Sequence, residues 1–287
     1  MSTNLKDKIL GSLVGFAIGD AMGATTEFMI KEQIEQQYGQ VNDIIGGGWL
    51  NLPRGQVTDD TQMMLCVARG IMNADKPKKT IVDTLSAIAT EFIYWLDSNP
   101  PDVGNCCRRA ITQNRDCSVE FWPHRNIQYQ KYSKREDLGN GGLMRCLVPC
   151  LLRHPILAIK QSDLTHANET CQMAIRTYYV AVNAAVYKGT TPWARPHLMS
   201  PTGHVENTLN NALYWSGKSF REGILGAVND GGDADTIAAL TGGLLGARFG
   251  YAEIYKNAAN WVDHLDLTVL EALKQVATYV EEINEKS

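Results

Sequence analysis

The sequence predicts an all-α protein. Apolar residues recur at helical spacing along nearly the whole chain, and strand-like alternation is almost absent. Two apolar segments also carry glycines four residues apart: Gly11, Gly15, Gly19 and Gly23 near the start, and Gly242, Gly246 and Gly250 near the end. Each glycine costs a helix roughly 1 kcal/mol relative to alanine. Stripes of them therefore point to another backbone packed very close. At 287 residues the chain forms one large domain or two small ones, with room for a sizeable core, and a single domain over residues 1–287 is the expectation.

Taken in order, the first helix spans 5–23, with Ile9, Leu13, Val14, Phe16 and Ile18 among residues that make it apolar on most of its surface. Asp20 and Glu27 lie at and just beyond its end. A short polar helix over 31–38 is followed by Gly46-Gly47-Gly48-Trp49 and Leu52-Pro53-Arg54-Gly55, which read as loop. Thr58 is placed to cap an apolar helix ending near Gly70, with Asp59 and Asp60 in its first turn. Residues 80–96 form an amphipathic helix stopped by Asn99-Pro100-Pro101, and another helix begins after Asp102. From Asp116 to Asp137 no period is visible, which predicts an irregular connection. Gly139-Asn140-Gly141-Gly142 is a turn opening a helix through Leu152, which His154-Pro155 ends. Helices up to Leu164, over 169–187, 207–215 and 220–228 come next, with the polar stretch Thr190–His204 as the best linker candidate. The run Ile237–Gly250 and an amphipathic helix over 265–283 complete the chain.

Composition narrows the function classes. A net charge of -4 leaves no basic footprint for nucleic acid and no polybasic membrane patch. No apolar run is long enough to span a bilayer, and the first residues lead into no signal-like segment. Seven cysteines without a CxxC pair argue against a zinc or thioredoxin-like site, and a reducing cytoplasm is the expected location.

The densest chemical signal is Asn229-Asp230-Gly231-Gly232-Asp233-Ala234-Asp235-Thr236, which holds three carboxylates and no Lys or Arg. Carboxylates this close repel one another. Two readings fit: an acidic loop that caps a helix, or oxygen ligands for a divalent cation. A second acid-acid-Thr helix start, Thr58-Asp59-Asp60-Thr61, makes the cation reading concrete. Thr58, Asp59, Asp60, Asp233, Asp235 and Thr236, with Glu27 nearby, could supply a two-metal oxygen site suited to Mg²⁺ or Mn²⁺. Asp233 and Asp235 are two apart, so at least one must precede the helix proper for both to face inward. An EF-hand loop from Asp233 fails at Ile237, and an Asp-Asp-x-x-Asp prenyl-transfer pattern fails after Asp60. The glycine turn at 139–142 lacks the ending of a P-loop but can form an anion-binding nest. His154 and His166 sit near helix ends, where a plain structural role stands beside a functional one. Cys146 and Cys150 read as core residues, Arg108 and Arg109 as partners in surface ion pairs, and Arg145 as a phosphate candidate.

Four motifs occur together in one order. They are Gly19-Asp20-Ala21-Met22-Gly23 with Glu27, Thr58-Asp59-Asp60-Thr61, Gly139-Asn140-Gly141-Gly142-Leu143-Met144-Arg145, and Gly231-Gly232-Asp233-Ala234-Asp235-Thr236. The set resembles the ADP-ribosylglycohydrolases across nearly the whole chain, and Asp102-Val103-Gly104-Asn105 resembles a segment of the bacterial dinitrogenase-reductase-activating branch. The resemblance implies a compact orthogonal helical bundle around a dinuclear Mg²⁺ or Mn²⁺ site, with Thr58, Asp59, Asp60, Asp233, Asp235 and Thr236 as ligands. Glu27 would lie beside the metals, and Glu27, Asp59, Asp60 and Asp235 would be the catalytic carboxylates. Asp102 and Asn105 would sit near the distal ribose, and Asn140, Gly141, Gly142 and Met144 would line the phosphate and ribose side. His166 matches a histidine near the ligand, although Ala167 follows it where relatives often have His or Gly. The implied reaction removes ADP-ribose from a modified protein, most simply from arginine, since guanidine leaves as a neutral group. Hydrolysis of an O-linked or small ADP-ribosyl compound, and a non-catalytic ADP-ribose-binding or partner-blocking role, remain open at this point. A direct complex with a transferase or toxin would fit either role.

Overall fold

The computed structural model describes the backbone of residues 2–190 and 196–286, and the side chains of 5–190 and 196–286. Among these residues are fourteen α-helices and no strand. They run α1 (Ser2–Gly23), α2 (Lys31–Tyr38), α3 (Asp59–Asn73), α4 (Ile81–Asp97), α5 (Asn105–Asn114), α6 (Trp122–Ser133) and α7 (Leu147–Leu151). Then follow α8 (Pro155–Asp163), α9 (Glu169–Lys188), α10 (Val205–Trp215), α11 (Phe220–Asp230), α12 (Ala234–Phe249), α13 (Tyr251–Asp263) and α14 (Leu267–Lys286).

The centre is the antiparallel pair α1 and α12, the most extensive contact between any two elements. α12 is buried on every side from Ala234 to Ala247, and α1 buries Ile9, Leu13, Phe16 and Ile18 completely. The two glycine stripes face each other. A Cβ on Gly15 would run into the Gly242 backbone, one on Gly19 into Ala238, and one on Gly23 into Ala234 and Asp235. The stripes are therefore the means by which two backbones touch without side chains between them. Ser12 Oγ donates to the Gly243 carbonyl at 2.8 Å across the same seam. Helices α9, α10, α11, α13 and α14 pack around the pair and share one continuous buried cluster with it.

The sequence-based helices are recovered, with local differences. Residues 116–137 are not irregular: a 3-10 turn at Val119–Phe121 leads into α6, which starts with Pro123 in its first turn. The period was hidden because a polar residue, Asn126, takes the inner face, donating to the Leu164 carbonyl at 2.9 Å while Trp122 is buried beside it. The helix expected up to Leu152 is shorter, a 3-10 turn at Asn140–Gly142 and then the single short α7. α13 lies in a stretch the sequence left unassigned, because Asn257 and Asn260 interrupt its buried row of Ile254, Ala258 and Trp261. Of the linker candidate Thr190–His204, residues 191–195 lie outside the described residues. The remainder is tied down: Pro201 O accepts from Asp233 N at 2.9 Å and Gly203 O from Asn140 N at 3.1 Å.

Gly19→Ala is expected to destabilise the protein by about 2–3 kcal/mol or more, because neither backbone can yield without parting the seam. Gly104→Ala, where a Cβ meets nothing within 4 Å, should change stability by no more than ~1 kcal/mol. Urea unfolding of both variants checks the contrast.

Candidate active site

The α1–α12 seam brings two acidic chain segments together. Asp20 in the last turn of α1 and Glu27 just beyond it meet Asp233, the N-cap of α12, and Asp235 in its first turn. The start of α3 completes the group. Thr58 caps α3 by accepting from Asp60 N at 3.3 Å. Asp20 holds that helix start, with Oδ1 accepting from Thr58 N and Oδ2 from Thr61 N, each at 3.0 Å. Thr236 Oγ1 donates to Asp60 Oδ1 at 3.3 Å, which links the two acid-acid-Thr segments directly.

Two carboxylate triads result, Asp20-Asp60-Asp235 and Glu27-Asp233-Asp235, each with its oxygens within 4.8 Å of one another. Asp235 belongs to both. Burial, and then the neighbouring carboxylates, push these groups up from their ordinary values. Glu27 and Asp59 rise to about 8, and Asp233 to about 6. Asp20, Asp60 and Asp235 are raised as well, Asp20 and Asp60 by burial first and Asp235 by burial and then Glu27. No Lys or Arg lies among the described residues lining the cleft above. Asp60 Oδ2 and Asp235 Oδ1 are buried and have no hydrogen-bond partner. An unpartnered carboxylate oxygen inside a protein is costly, and two of them on facing helix starts fit a hard divalent cation bound by oxygen ligands. The donor set and the orphaned oxygens thus agree with a metal centre.

Above the acids is a cleft of about 400 Å³. Glu27, Asp59, Asp102, Asn105, Asn140, Gly141, Met144, His166, Asp233, Asp235 and Thr236 all line it. Thr58 and Asp60 do not line it: Asp60 belongs to the acid cluster, and Thr58 caps the helix that carries Asp60. Gly142 sits behind the wall: a Cβ there would overlap Ser162, and its carbonyl accepts from Gln161 Nε2 at 2.8 Å. Asn140 is held rigidly, donating through Nδ2 to Asp233 Oδ2 at 2.6 Å and to Thr208 Oγ1 at 3.1 Å. Gly141 is required by His166, since a Cβ would overlap that ring and Cys107. His166 is buried with Nδ1 at 2.8 Å from Thr165 Oγ1. Burial, with the charges of Arg145 and Arg109, lowers its pKa to about 3, so the ring is neutral at pH 7.

Other expectations resolve as structure. Arg145 is fully buried and bonds Gln161 and Thr165, so it is not available to a ligand. Arg109 pairs with Asp137 at 2.6 Å. His154 caps α8 by accepting from Leu157 N at 3.2 Å. Cys146 and Cys150 are core residues. Sequence reasoning gave no role to Asp20 or Trp49. Asp20 had a signal, an acid next to a stripe glycine; Trp49, whose Nε1 donates to Glu27 Oε2 at 2.6 Å, had none beyond its three-glycine turn.

The sequence matches the ADP-ribosylglycohydrolase family model over residues 1–199 and 192–286. The chain belongs to the ADP-ribosylglycohydrolase family. An ADP-ribosyl-[dinitrogen reductase] glycohydrolase of Rhodospirillum rubrum is 34% identical, covering 95% of each chain. The ADP-ribosylarginine hydrolase Tri1 of Pseudomonas putida (strain GB-1) is 29% identical over 97% of this chain and 81% of its own. That of Serratia proteamaculans (strain 568) is 30% identical over 90% and 75%. A solved structure titled ADP-ribosylglycohydrolase-related protein complex superposes with a TM-score of 0.74 at 25% identity, covering 98% of this chain and 99% of that one. The acid cluster of this ADP-ribosylglycohydrolase therefore lies at the floor of the cleft of a glycosidic hydrolase.

Raised carboxyl pKa values make the metal-free protein sensitive to alkali. Their contribution to stability is complete below the unfolded value near 4 and is lost as pH rises through the folded values of about 6 and 8. His166, with its lowered pKa, acts only below its unfolded value of about 6.5. Between pH 6.5 and 8.5 the acids alone decide. Thermal melts in EDTA should fall across that window, by about 1 kcal/mol or more per pH unit, and Mg²⁺ or Mn²⁺ should cancel the fall. A melt that is flat or rises with pH in EDTA would contradict it.

Proposed function

We propose that this ADP-ribosylglycohydrolase cleaves the N-glycosidic bond between ADP-ribose and an arginine side chain of a modified protein, releasing ADP-ribose. The observation that carries this reading is the pair of carboxylate triads sharing Asp235 beneath a cleft that no Lys or Arg lines among the described residues. Similarity over most of the chain to proteins named as arginine hydrolases favours that linkage. Thr58, Asp59, Asp60, Asp233, Asp235 and Thr236 are the residues that would hold two divalent cations, Mg²⁺ or Mn²⁺, whose chemistry when bound is Lewis-acid polarisation and activation of water.

The chain's own groups account for the rest. Departure of the guanidine builds positive charge on ribose C1 and its ring oxygen. Glu27, fixed by Trp49, and Asp59 and Asp235 on the floor offset that charge electrostatically. Guanidine leaves neutral, so no strong acid is needed opposite the nucleophile. Asp102, just before α5, and Asn105, its first residue, line the cleft and would hydrogen-bond the hydroxyls of the distal ribose. Asn140, Gly141 and Met144 form the wall along which the diphosphate lies, with Gly142 shaping it from behind. Neutral His166 can hold a ribose or phosphate oxygen without adding charge. We read the chain as one domain, because a continuous core surrounds the seam. A reducing cytoplasm, where its free thiols persist, suits it.

The test is ADP-ribose release from arginine-modified and serine-modified protein, with Mg²⁺ and Mn²⁺ compared. Release from arginine is expected. Asp235→Asn should weaken Mn²⁺ binding by at least ~10-fold in calorimetry and slow turnover by ~100-fold or more. Full activity of metal-stripped Asp235→Asn protein would overturn the mechanism.

A further inference from the structure

Phe28 is placed where a bulky residue is unfavourable. Its φ of 61° lies in the left-handed region, and its ring is 65% exposed. Two backbone bonds hold it there: Phe28 N donates to Gly232 O at 2.6 Å, and Gly232 N to Met29 O at 2.8 Å. The turn is thereby stitched to the loop that carries Asp233. The Phe28 ring lies 5.3 Å from that of Trp49, at an interplanar angle of 49°. Trp49 is also half exposed, yet its loop is fixed. Thr25 Oγ1 donates to Gly46 O at 3.0 Å, Gly47 and Leu52 exchange bonds of 2.8 and 2.9 Å, and the indole N–H is engaged by Glu27. Two large rings are thus held in fixed positions toward solvent, where burial alone would have hidden them. Strain of this kind, kept beside a reactive centre, is a sign of function.

Position and charge say which function. Glu27, Phe28 and Trp49 are a common wall between the cleft and a second cavity of about 840 Å³, which Gln36, Gln37 and Tyr38 line on its far side. Among the described residues neither cavity is lined by Lys or Arg, while the Glu27 carboxylate faces both. Aromatic faces beside a carboxylate attract a planar cation. In the function proposed above the diphosphate lies along the wall of Gly139, Gly141 and His166, which carries no carboxylate, rather than over Glu27, Asp233 and Asp235. With the ribose C1 above the acids, the group on the other side of the scissile bond points at Phe28 and Trp49.

We infer that Phe28 and Trp49 form an aromatic platform for the guanidinium of the modified arginine, and that the cavity beyond them receives the polypeptide that carries it. This inference rests on the arginine-linked reading above. The platform favours the arginine linkage, because a serine side chain carries no planar cation to lay across the rings. Glutamine amides and the Tyr38 hydroxyl suit an uncharged peptide backbone.

The test is direct binding, so that it does not depend on turnover. Protein saturated with ADP-ribose is titrated with a short peptide containing one arginine, and indole fluorescence is followed. A saturable change is expected in the wild type, its loss in Trp49→Phe, and roughly fivefold or weaker binding in Phe28→Asn. Asparagine tolerates the left-handed backbone, so Phe28→Asn should melt no lower than the wild type. The same peptide with citrulline in place of arginine should bind more weakly. In steady state Phe28→Asn should raise KM for arginine-linked substrate about fivefold with kcat within about twofold. Equal peptide binding by wild type and Phe28→Asn overturns the platform even if the enzyme is fully active. Weakened ADP-ribose binding with unchanged peptide binding overturns it too, by assigning the rings to the other side of the bond. Absence of ADP-ribose release from arginine by the wild type overturns the function reading instead, and the peptide titration then decides the platform alone.

Discussion

The direct contact of two backbones, α1 against α12, is the constraint on which the rest of the structure depends. Gly15 meets Gly242, and the Gly23 end of α1 lies on Ala234 and Asp235, so the C-terminus of one helix is fixed against the N-terminus of the other. A pair of alanine-faced helices would sit farther apart, and axes of ordinary helix pairs are about 8–10 Å apart. At that distance Asp20 and Asp235 would not share a triad. The helical cost of the six stripe glycines inside α1 and α12 is several kcal/mol in sum, and it is offset by the burial of α1 from Gly11 to Gly23 and of α12 from Ala234 to Ala247. The acid cluster is therefore a consequence of the seam.

Helix electrostatics sharpen what that cluster needs. The N-termini of α3 and α12 carry partial positive charge toward the carboxylates, and Thr58 and Asp233 stand at their caps. The C-terminus of α1 opposes them: it points its negative end at the same place and has no basic residue in its last turn. Helix ends contribute at most a couple of kcal/mol each, whereas two carboxylates about 4 Å apart repel by roughly 4 kcal/mol even at an effective dielectric of 20. The dipoles cannot balance the cluster. In the metal-free protein protons do so up to neutral pH, which is what the raised pKa values express. At neutral pH only cations of higher charge do so without emptying the site of its carboxylates.

Much of this was legible in the residues, for identifiable reasons. The stripes at Gly11–Gly23 and Gly242–Gly250 announced a close contact because glycine at fixed helical spacing has few other uses. Thr58-Asp59-Asp60 announced a cap, which Thr58 makes, and its Asp60 belongs to one of the two carboxylate triads. Asp233 and Asp235, two residues apart, could face together only if the helix began between them, and α12 begins at Ala234. What stayed hidden depended on partners far away in sequence. Asn126 reads as a surface residue until Leu164 is beside it. Trp49 reads as a loop residue until its N–H is seen on Glu27. Arg145 reads as a phosphate ligand until Gln161 and Thr165 enclose it. Local pattern carries helices and caps; it does not carry side-chain partners that only the packed chain creates.

Several exceptions to local rules meet at one place in this molecule. The last stripe glycine of α1, Gly23, the carboxylates under the protein surface and a phenylalanine in the left-handed region each oppose what their immediate surroundings favour, and they meet at the end of α1. A sequence specifies its fold best where every local preference agrees with the whole, and conflicts persist where function retains them. Phe28 is the clearest of these. Its backbone bonds to Gly232 and Met29 would survive replacement by asparagine or glycine, either of which suits that φ better. Packing does not explain the ring, since most of it faces solvent. Catalytic charge does not explain it, since it has none. What distinguishes phenylalanine from the residues that would relieve the strain is an aromatic face, held beside Trp49 at the mouth of a cleft whose floor is anionic. That face is useful only to something that arrives from outside the chain.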